Sequence, residues 1–395
     1  MSSRSGSPPV WGVLLWAALL AGIVVAWSPR YWAVSSAIAS LAILVVGWTI
    51  FSVREPHSWP RQTPLVLLIG VWGWLQIVFR TTAIPGFTAV QSLIWLMSAC
   101  GFVAGAQILS RRANRLAFLT ALLWSVTALA VAAMIQAHNP PIQVFGIFPA
   151  GPTVMGTFLS SNQFAALMEL GAPVALWYML GRNPLPGGLC FAMLLAATIA
   201  SGSRMGVILV CSEAVAFVLV VVMTRRLEKR KVVAIFAGLA ALIAAAAFIA
   251  GTDQIGKHFE DKNPYAIRKQ LLDSTVQLIA EHPWSGHGLG TWRAEYPHAA
   301  TFDAALLANE AHNDWAQWAS DGGIPFALLI LGLVVWVAWP GLQCIWGMGI
   351  LCVAIHSYVD YPIREPALSF LWFTLAGAVA GLMDQLPRSG KRELN

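Results

Sequence analysis

Apolar stretches of about 20 residues recur along almost the whole chain and are separated by short polar turns. A bilayer offers the backbone no hydrogen-bond partner, so a spanning segment must be a helix that satisfies its own peptide groups. Hydrophobic residues make up 58% of the 395 residues and charged residues only 11%, which a soluble domain of this length would not tolerate on its surface. The sequence therefore predicts an all-α polytopic membrane protein.

About twelve transmembrane helices are predicted from these stretches. The first is expected to be retained, because it begins directly after MSSRSGSPPV and lacks a small-residue cleavage site. Three regions follow: a helical bundle over residues 1–250, a loop with amphipathic helices over 251–322, and the last spans with a terminal tail over 323–395. The predicted spans are Val10–Ala26, Trp32–Phe51, Pro64–Phe79, Phe87–Leu109, Leu116–Gln136, Asn162–Leu180, Gly188–Ala200, Met205–Met223, Val232–Ala250, Ile324–Trp339, Ile345–Tyr358 and Ala367–Leu386.

Lysine and arginine are concentrated in alternate short loops, most densely between Arg225 and Lys231. Because cytoplasmic loops carry the excess of these residues, both termini are predicted to be cytoplasmic and the long loop to lie on the opposite, outer side. The net charge of +6 reflects this asymmetry, so membrane lipids are expected partners and nucleic acid is not. The short outer loops carry isolated arginines: Arg30, Arg80, Arg204 and Arg364.

The long outer loop holds nearly every motif capable of chemistry. Apolar residues repeat at helical spacing from Ile267 to Ala280, which predicts an amphipathic helix along the membrane surface or against the bundle, with Arg268 near its start. The turn SGHGLG then places glycines at alternate positions, so that its amides could approach an anion. The segment Glu310–Trp315 leads into the tenth span.

Motifs for metal binding and for serine hydrolysis are missing from the sequence. It contains no Asp-x-Asp, no His-x-x-x-His and no Gly-x-Ser-x-Gly pattern. The five cysteines fall in or at the edges of predicted spans, with neither a disulfide framework nor a zinc-binding spacing. We therefore predict no metal and no cofactor.

The outer side instead presents cationic and titratable groups. Arginine forks bind phosphate oxygens, and several together can neutralise a diphosphate leaving group without a metal. Histidine is the usual general base near neutral pH, and Glu310 and Asp314 are close enough along the chain to orient His312. The alternative for His312 is a structural cap on the next helix. The candidates are Arg80, Arg204, Arg268, Arg293, Arg364, His287 and His312, with Asn313 and with Asn162, which could face a substrate or cap its helix.

Several motifs occur together between Gly156 and Leu368. They are GTFLSSNQFAA, a Ser-Arg turn at Arg204, Arg268 followed by HPWSGHGLGTW and YP, then AHNDWAQW, and finally HSYVDYPIREPAL. In this combination they resemble the O-antigen ligase and polymerase superfamily of bacterial membrane proteins. There, a loop helix beginning with Arg precedes a Pro-x-x-Gly-x-Gly-x-Gly turn, and a His-Asn pair precedes the next span. One position differs, since Phe326 stands where the ligases often carry glycine.

The resemblance implies a metal-independent glycosyltransferase of the membrane-embedded GT-C type, with its active site on the periplasmic face of the bacterial inner membrane. Its donor would be a glycan on undecaprenyl diphosphate, and its acceptor a hydroxyl of a lipid or glycan. By that analogy His312 deprotonates the acceptor hydroxyl, while Arg204 and Arg268 hold the departing diphosphate. A ligase would transfer the glycan to lipid A core and a polymerase to another lipid-linked repeat, and both remain open.

A transporter is the alternative from a different class. Glu169 and Glu213 lie within the sixth and eighth spans, where an ionisable group is either a functional candidate or one half of a buried pair. The sequence shows no internal repeat, and its polar residues concentrate in the outer loop rather than at the membrane midplane. Transport is therefore the less favoured hypothesis.

Overall fold

The computed structural model describes residues 9–53, 59–139, 141–151, 153–225, 229–250, 266–300 and 308–385. Over these residues the chain forms fourteen α-helices and one two-stranded antiparallel hairpin, β1 (Gln143–Val144) and β2 (Phe148–Pro149). The helices are α1 (Val10–Val25), α2 (Tyr31–Ser52), α3 (Thr63–Val78), α4 (Pro85–Ile108), α5 (Arg112–His138), α6 (Ser161–Gly181), α7 (Pro184–Ser201), α8 (Arg204–Arg225), α9 (Lys229–Ala250), α10 (Ala266–Glu281), α11 (Trp292–Ala299), α12 (Asp314–Gln343), α13 (Met348–His356) and α14 (Pro366–Gln385).

Eight of these helices are long and apolar enough to cross a membrane, namely α2, α4, α5, α6, α7, α8, α12 and α14. Shorter apolar helices cover Val10–Val25, Thr63–Val78, Ala237–Ala250 and Ile345–His356. Each predicted span overlaps one of these segments, and the all-α polytopic membrane class is confirmed. That the shorter helices also cross, giving about twelve spans, stays a prediction.

The bundle is held together by close backbone contacts that small residues permit. A side chain at Gly105 of α4 would collide with the carbonyl of Thr374, and one at Gly377 of α14 with the carbonyl of Phe102. Inside a bilayer no hydrophobic force drives helices together, so this close van der Waals packing is a main source of their association. The α4–α14 seam is therefore the rigid centre on which the remaining helices are arranged.

The helix α12 begins earlier than the sequence predicted. The predicted span began at Ile324, whereas the helix runs from Asp314 with an interruption at Gly323, whose φ of 80° and ψ of 164° are not helical. Such a break frees backbone groups that need partners. The glycine-rich turn of the loop supplies them, since His287 N–H donates to the carbonyl of Ser320 (3.0 Å) and Ile324 N–H donates to that of Pro283 (2.8 Å).

The loop helices α10 and α11 form a small core of their own at one end of the bundle, which we call the loop end. The helix α10 agrees with the predicted Ile267–Ala280 segment to within one residue at each end. Gln76 of α3 donates to the carbonyls of Ser285 (2.7 Å) and Asp321 (2.9 Å), which fastens the loop to the bundle. The residues that form the loop's core are Leu271, Leu278, Trp292, Tyr296, Ala299 and Ala311.

Candidate active site

Asp360, in the turn between α13 and α14, is the centre of a polar cluster at the loop end. Its side chain is only 1% exposed, and its carboxylate accepts hydrogen bonds from Arg268 Nη2 (2.8 Å), from Asn162 Nδ2 and from the backbone N–H of Tyr361 (2.9 Å). His312 Nδ1 lies 3.5 Å from Asp360 Oδ1. Four separate segments of the chain, carrying Asn162, Arg268, His312 and Asp360, thus meet at one buried carboxylate.

The charges around Asp360 keep it ionised. Burial alone would raise the pKa of this carboxyl, but His312, Arg268 and His356 together hold it below its ordinary value. The same carboxylate, together with burial, raises the pKa of Tyr361, so that phenol stays neutral. Asp360 is therefore an anion that faces several cationic or protonatable groups at neutral pH.

His312 is held in an uncommon backbone conformation beside this carboxylate. Its φ of 52° lies in the left-handed region, which non-glycine residues seldom adopt. Its ring is 35% exposed and stands edge-on to the ring of Tyr361 at 4.9 Å. The Nδ1 atom is buried and has no hydrogen-bond partner among the described residues. The Nδ1 edge of the imidazole therefore points toward Asp360, while the rest of the ring remains accessible to solvent.

The structure gives the residues expected to orient His312 different partners. Asp314 accepts from Ser357 Oγ (3.1 Å) and from the backbone N–H of Ile363 (3.0 Å), and Glu310 accepts from Gln317 Nε2 (2.7 Å). The capping role weighed for His312 belongs to Asn313, whose Oδ1 accepts from Ala316 N–H (3.0 Å). The residue that faces His312 is Asp360.

Arg364 belongs to a second cluster, in which its charge is already compensated. Its guanidinium contacts Glu310 (2.8 Å) and Asp321 (3.1 Å), and its side chain is 14% exposed. Burial lowers the pKa of Arg364, but these carboxylates raise it above its ordinary value, so the group remains charged. The guanidinium of Arg364 thus lies between two carboxylates, of which Asp321 is buried. That Arg364 binds a diphosphate stays a prediction.

The amides of the glycine-rich turn are also occupied. The carboxylate of Asp321 accepts from the backbone N–H groups of Gly290 (3.0 Å) and Trp292 (2.9 Å). Gly290 has a φ of 83°, which opens the turn toward that carboxylate. The anion that the turn approaches is therefore a side chain of the protein itself, and the turn serves to dock the loop on α12.

The other predicted arginines lie at separate points of the loop end. Arg204 begins α8 two residues after Gly202, and Gly206, two residues further on, packs on Ala165 of α6, so Arg204 lies at the same end of the bundle as Asn162. Arg80 follows α3 and is exposed. Arg293 is exposed and stacks over the ring of Phe87 at 4.6 Å. His287 is buried and bonds the carbonyl of Leu278 (3.0 Å), which is a structural role.

The carboxylate of Glu169 proves to be one half of a buried pair. Its Oε1 lies 2.6 Å from His356 Nδ1, and both residues are at most 1% exposed. Of the two hypotheses made for Glu169, a functional ionisable group or one half of a buried pair, this contact supports the second. Glu213 is buried on the neighbouring helix α8.

Asp360 is the site residue that sequence reasoning did not single out. It lies within the HSYVDYPIREPAL motif, but 198 positions separate it from Asn162 and 92 from Arg268. No local pattern connects residues so far apart. The described residues also contain no group of three or more His, Cys, Asp or Glu placed to hold a metal ion.

Comparison with known families agrees with the resemblance found in the sequence. Residues 189–331 match the family model described as O-antigen ligase, and the superfamily resemblance is confirmed over that range. The matched range includes Arg204, Arg268 and His312, whereas Asn162 and Asp360 lie outside it. No curated protein matches the chain.

Proposed function

Starting from the match of residues 189–331 to the O-antigen ligase family, we propose that this chain is a metal-independent GT-C type glycosyltransferase of the bacterial inner membrane. It transfers a glycan from undecaprenyl diphosphate to an acceptor hydroxyl of lipid A core on the periplasmic face. The observation that carries the proposal is the Asp360 cluster. This cluster joins a histidine in a strained conformation, an arginine and an asparagine from three other segments of the chain.

His312 acts as the general base in this proposal. Because its Nδ1 faces Asp360, the favoured tautomer carries the hydrogen on Nδ1 and leaves Nε2 with the lone pair that accepts a proton. The 3.5 Å contact can tighten when the acceptor binds and the imidazolium forms, as catalytic hydrogen bonds often do. The acceptor oxygen then attacks the anomeric carbon, and its proton passes to Nε2.

The arginines stabilise the group that leaves. As the bond between the anomeric carbon and the diphosphate oxygen breaks, its electron pair passes to the diphosphate, whose charge needs cationic neighbours. Arg204 and Arg268 both lie at the loop end, and Arg268 is fixed beside the general base by its ion pair with Asp360. Nucleophile activation and leaving-group stabilisation therefore depend on one carboxylate.

A polymerase that joins lipid-linked repeats uses the same donor chemistry and is the alternative. The transporter hypothesis is less supported than before, because Glu169 is paired with His356.

The decisive experiment incubates the purified protein with a lipid-linked glycan and either lipid A core or a second lipid-linked repeat. Product on lipid A core supports a ligase, elongated lipid-linked glycan supports a polymerase, and no product with either acceptor contradicts the proposal.

The substitution Arg204→Lys is expected to remove most of the transfer activity although the charge is kept. A lysine ammonium cannot make the bidentate contact that a guanidinium makes with phosphate oxygens. The measurement is the transfer rate with saturating acceptor over a range of donor concentrations. Arg293→Lys is the matched control, because Arg293 is exposed and its guanidinium stacks on Phe87. Wild-type turnover by Arg204→Lys would mean that Arg204 serves only topology or packing.

Chelating agents are expected to leave transfer unchanged. Arginines carry the charge compensation in this mechanism, and neither the sequence motifs nor the described residues provide a ligand set for a divalent ion. The measurement is the transfer rate before and after dialysis against a chelator. Activity that is lost on chelation and restored by a divalent metal would overturn the mechanism.

A further inference from the structure

The helix α6 contacts the turn that carries Asp360 at two levels. Asn162 and Glu169 are seven residues apart, so they lie on the same face of α6, two turns or about 10 Å from each other. Asn162 donates to Asp360, and Glu169 pairs with His356 at 2.6 Å. One helix face therefore bonds to both ends of the segment from His356 to Asp360.

The segment between these two contacts is a compact turn, so a displacement of His356 would also displace Asp360. Asp360 N–H donates to the carbonyl of His356 (3.1 Å), so the two residues are joined directly through the backbone. On its other side the turn accepts from Asp314 N–H through the carbonyls of Ser357 (2.8 Å) and Asp360 (3.1 Å). Asp314 follows His312 by two positions, so the turn links the Glu169–His356 pair to the proposed base.

Packing alone does not account for a charged pair at this depth. Gly349 of α13 already lies directly on the backbone of Glu169, which holds the two helices together without the side chains. Burying two ionisable groups costs desolvation that apolar residues of the same volume would avoid, so such a pair is weak evidence for stability. The pair adds a directional contact. Its 2.6 Å distance restricts the position of the end of α13 relative to α6 more than apolar packing does.

We propose that Glu169 and His356 are positioning residues that set the place of Asp360, and through it the orientation of His312. The inference deepens the function proposed above and rests on it. The pair does not touch substrate. It holds the carboxylate at the distance from which Asp360 favours the protonated imidazole that forms when the acceptor is deprotonated.

The expected effect differs from that of a merely structural role. Asp360 faces the imidazolium that forms only during transfer, so its displacement removes stabilisation of the transition state rather than of the bound donor. The value of kcat should therefore fall, while the KM for the donor stays close to that of the wild-type protein.

The test compares Glu169→Gln with Glu213→Gln. The second variant makes the same change at another buried carboxylate, on α8, which lies beside Cys352 of α13 and does not pair with His356. Glu169→Gln is expected to lower kcat by about 10-fold or more with little change in the KM for the donor, and Asp360→Asn should lower kcat in the same way. Glu213→Gln should lower kcat much less.

Rescue separates positioning from loss of folding. The exchanged pair, Glu169→His with His356→Glu, should restore kcat toward its wild-type value if the contact itself is what matters. If Glu169→Gln does not accumulate as folded protein, His356→Gln is measured in its place, because it keeps a hydrogen bond to Glu169 without an ionisable ring. A rise in the KM for the donor as large as the fall in kcat, no rescue by the exchanged pair, or equal loss of kcat in the Glu169 and Glu213 variants would overturn the inference. Failure of the wild-type protein to transfer glycan would instead reject the proposed function.

Discussion

The substitution His312→Asn is expected to lower the rate of glycan transfer by about 10²–10⁴-fold while the donor still binds. This is the range that a general base contributes, and it exceeds what the loss of one surface hydrogen bond would explain. Donor binding should persist, because in the proposed mechanism Arg204 and Arg268 hold the diphosphate and the histidine acts on the incoming hydroxyl. The measurements are single-turnover transfer and the equilibrium binding of a lipid-linked donor.

Asparagine is the informative replacement because it preserves the local fold. His312 has a φ of 52°, and asparagine tolerates the left-handed region better than most residues do. The cap on α12 comes from Asn313, so the helix end does not depend on residue 312. The variant therefore removes the proton acceptor and the ring contact with Tyr361 but leaves the backbone conformation and the helix cap in place.

His287→Asn is the matched control for this prediction. His287 is buried and bonds the backbone carbonyl of Leu278, so its loss should reduce stability rather than change the chemical step. Substantial transfer by His312→Asn, in protein that binds donor normally, would contradict the role of base and direct attention to the nearby carboxylates.

The second large effect is expected on stability. Arg364→Ala should lower the free energy of unfolding by about 3–5 kcal/mol, because it leaves the buried carboxylate of Asp321 and the partly buried carboxylate of Glu310 without their cation. Asp321 is only 1% exposed and also binds the amides of the glycine-rich turn, so the docking of the loop should weaken with it. Denaturant unfolding in detergent micelles and proteolysis within the loop measure the two consequences.

Arg293→Ala gives the comparison for an arginine on the same loop. Arg293 is exposed and stacks on Phe87, so its loss should cost no more than about 1 kcal/mol. If Arg364→Ala unfolded no more easily than Arg293→Ala and instead lost donor affinity, Arg364 would be a diphosphate ligand, as the sequence alone suggested. The geometry favours the structural role, because both carboxylates are already within 3.1 Å of its guanidinium.

Local patterns in the sequence determined the class of the fold and most of its helices. Apolar length alone located a helix at each predicted span, and helical spacing located α10 to within one residue at each end. The use of local patterns alone also explains why the start of α12 was predicted too late in the chain. The apolar run begins at Ile324, but the polar residues from Asp314 onward are helical as well, because the loop bonds their backbone and side chains.

The sequence also indicated which residue types could act, since arginines and a histidine on one side of a membrane favour diphosphate chemistry. The sequence could not show which charged residues form ion pairs with each other. Residue type alone did not distinguish Arg364 from Arg268. In the structure Arg364 contacts Glu310 and Asp321, whereas Arg268 contacts Asp360. Which charges pair is decided by tertiary contact, because a buried ion must find its partner wherever the packing of distant segments puts one. Asp360 meets Asn162 across 198 residues of chain, a distance over which no periodicity carries information.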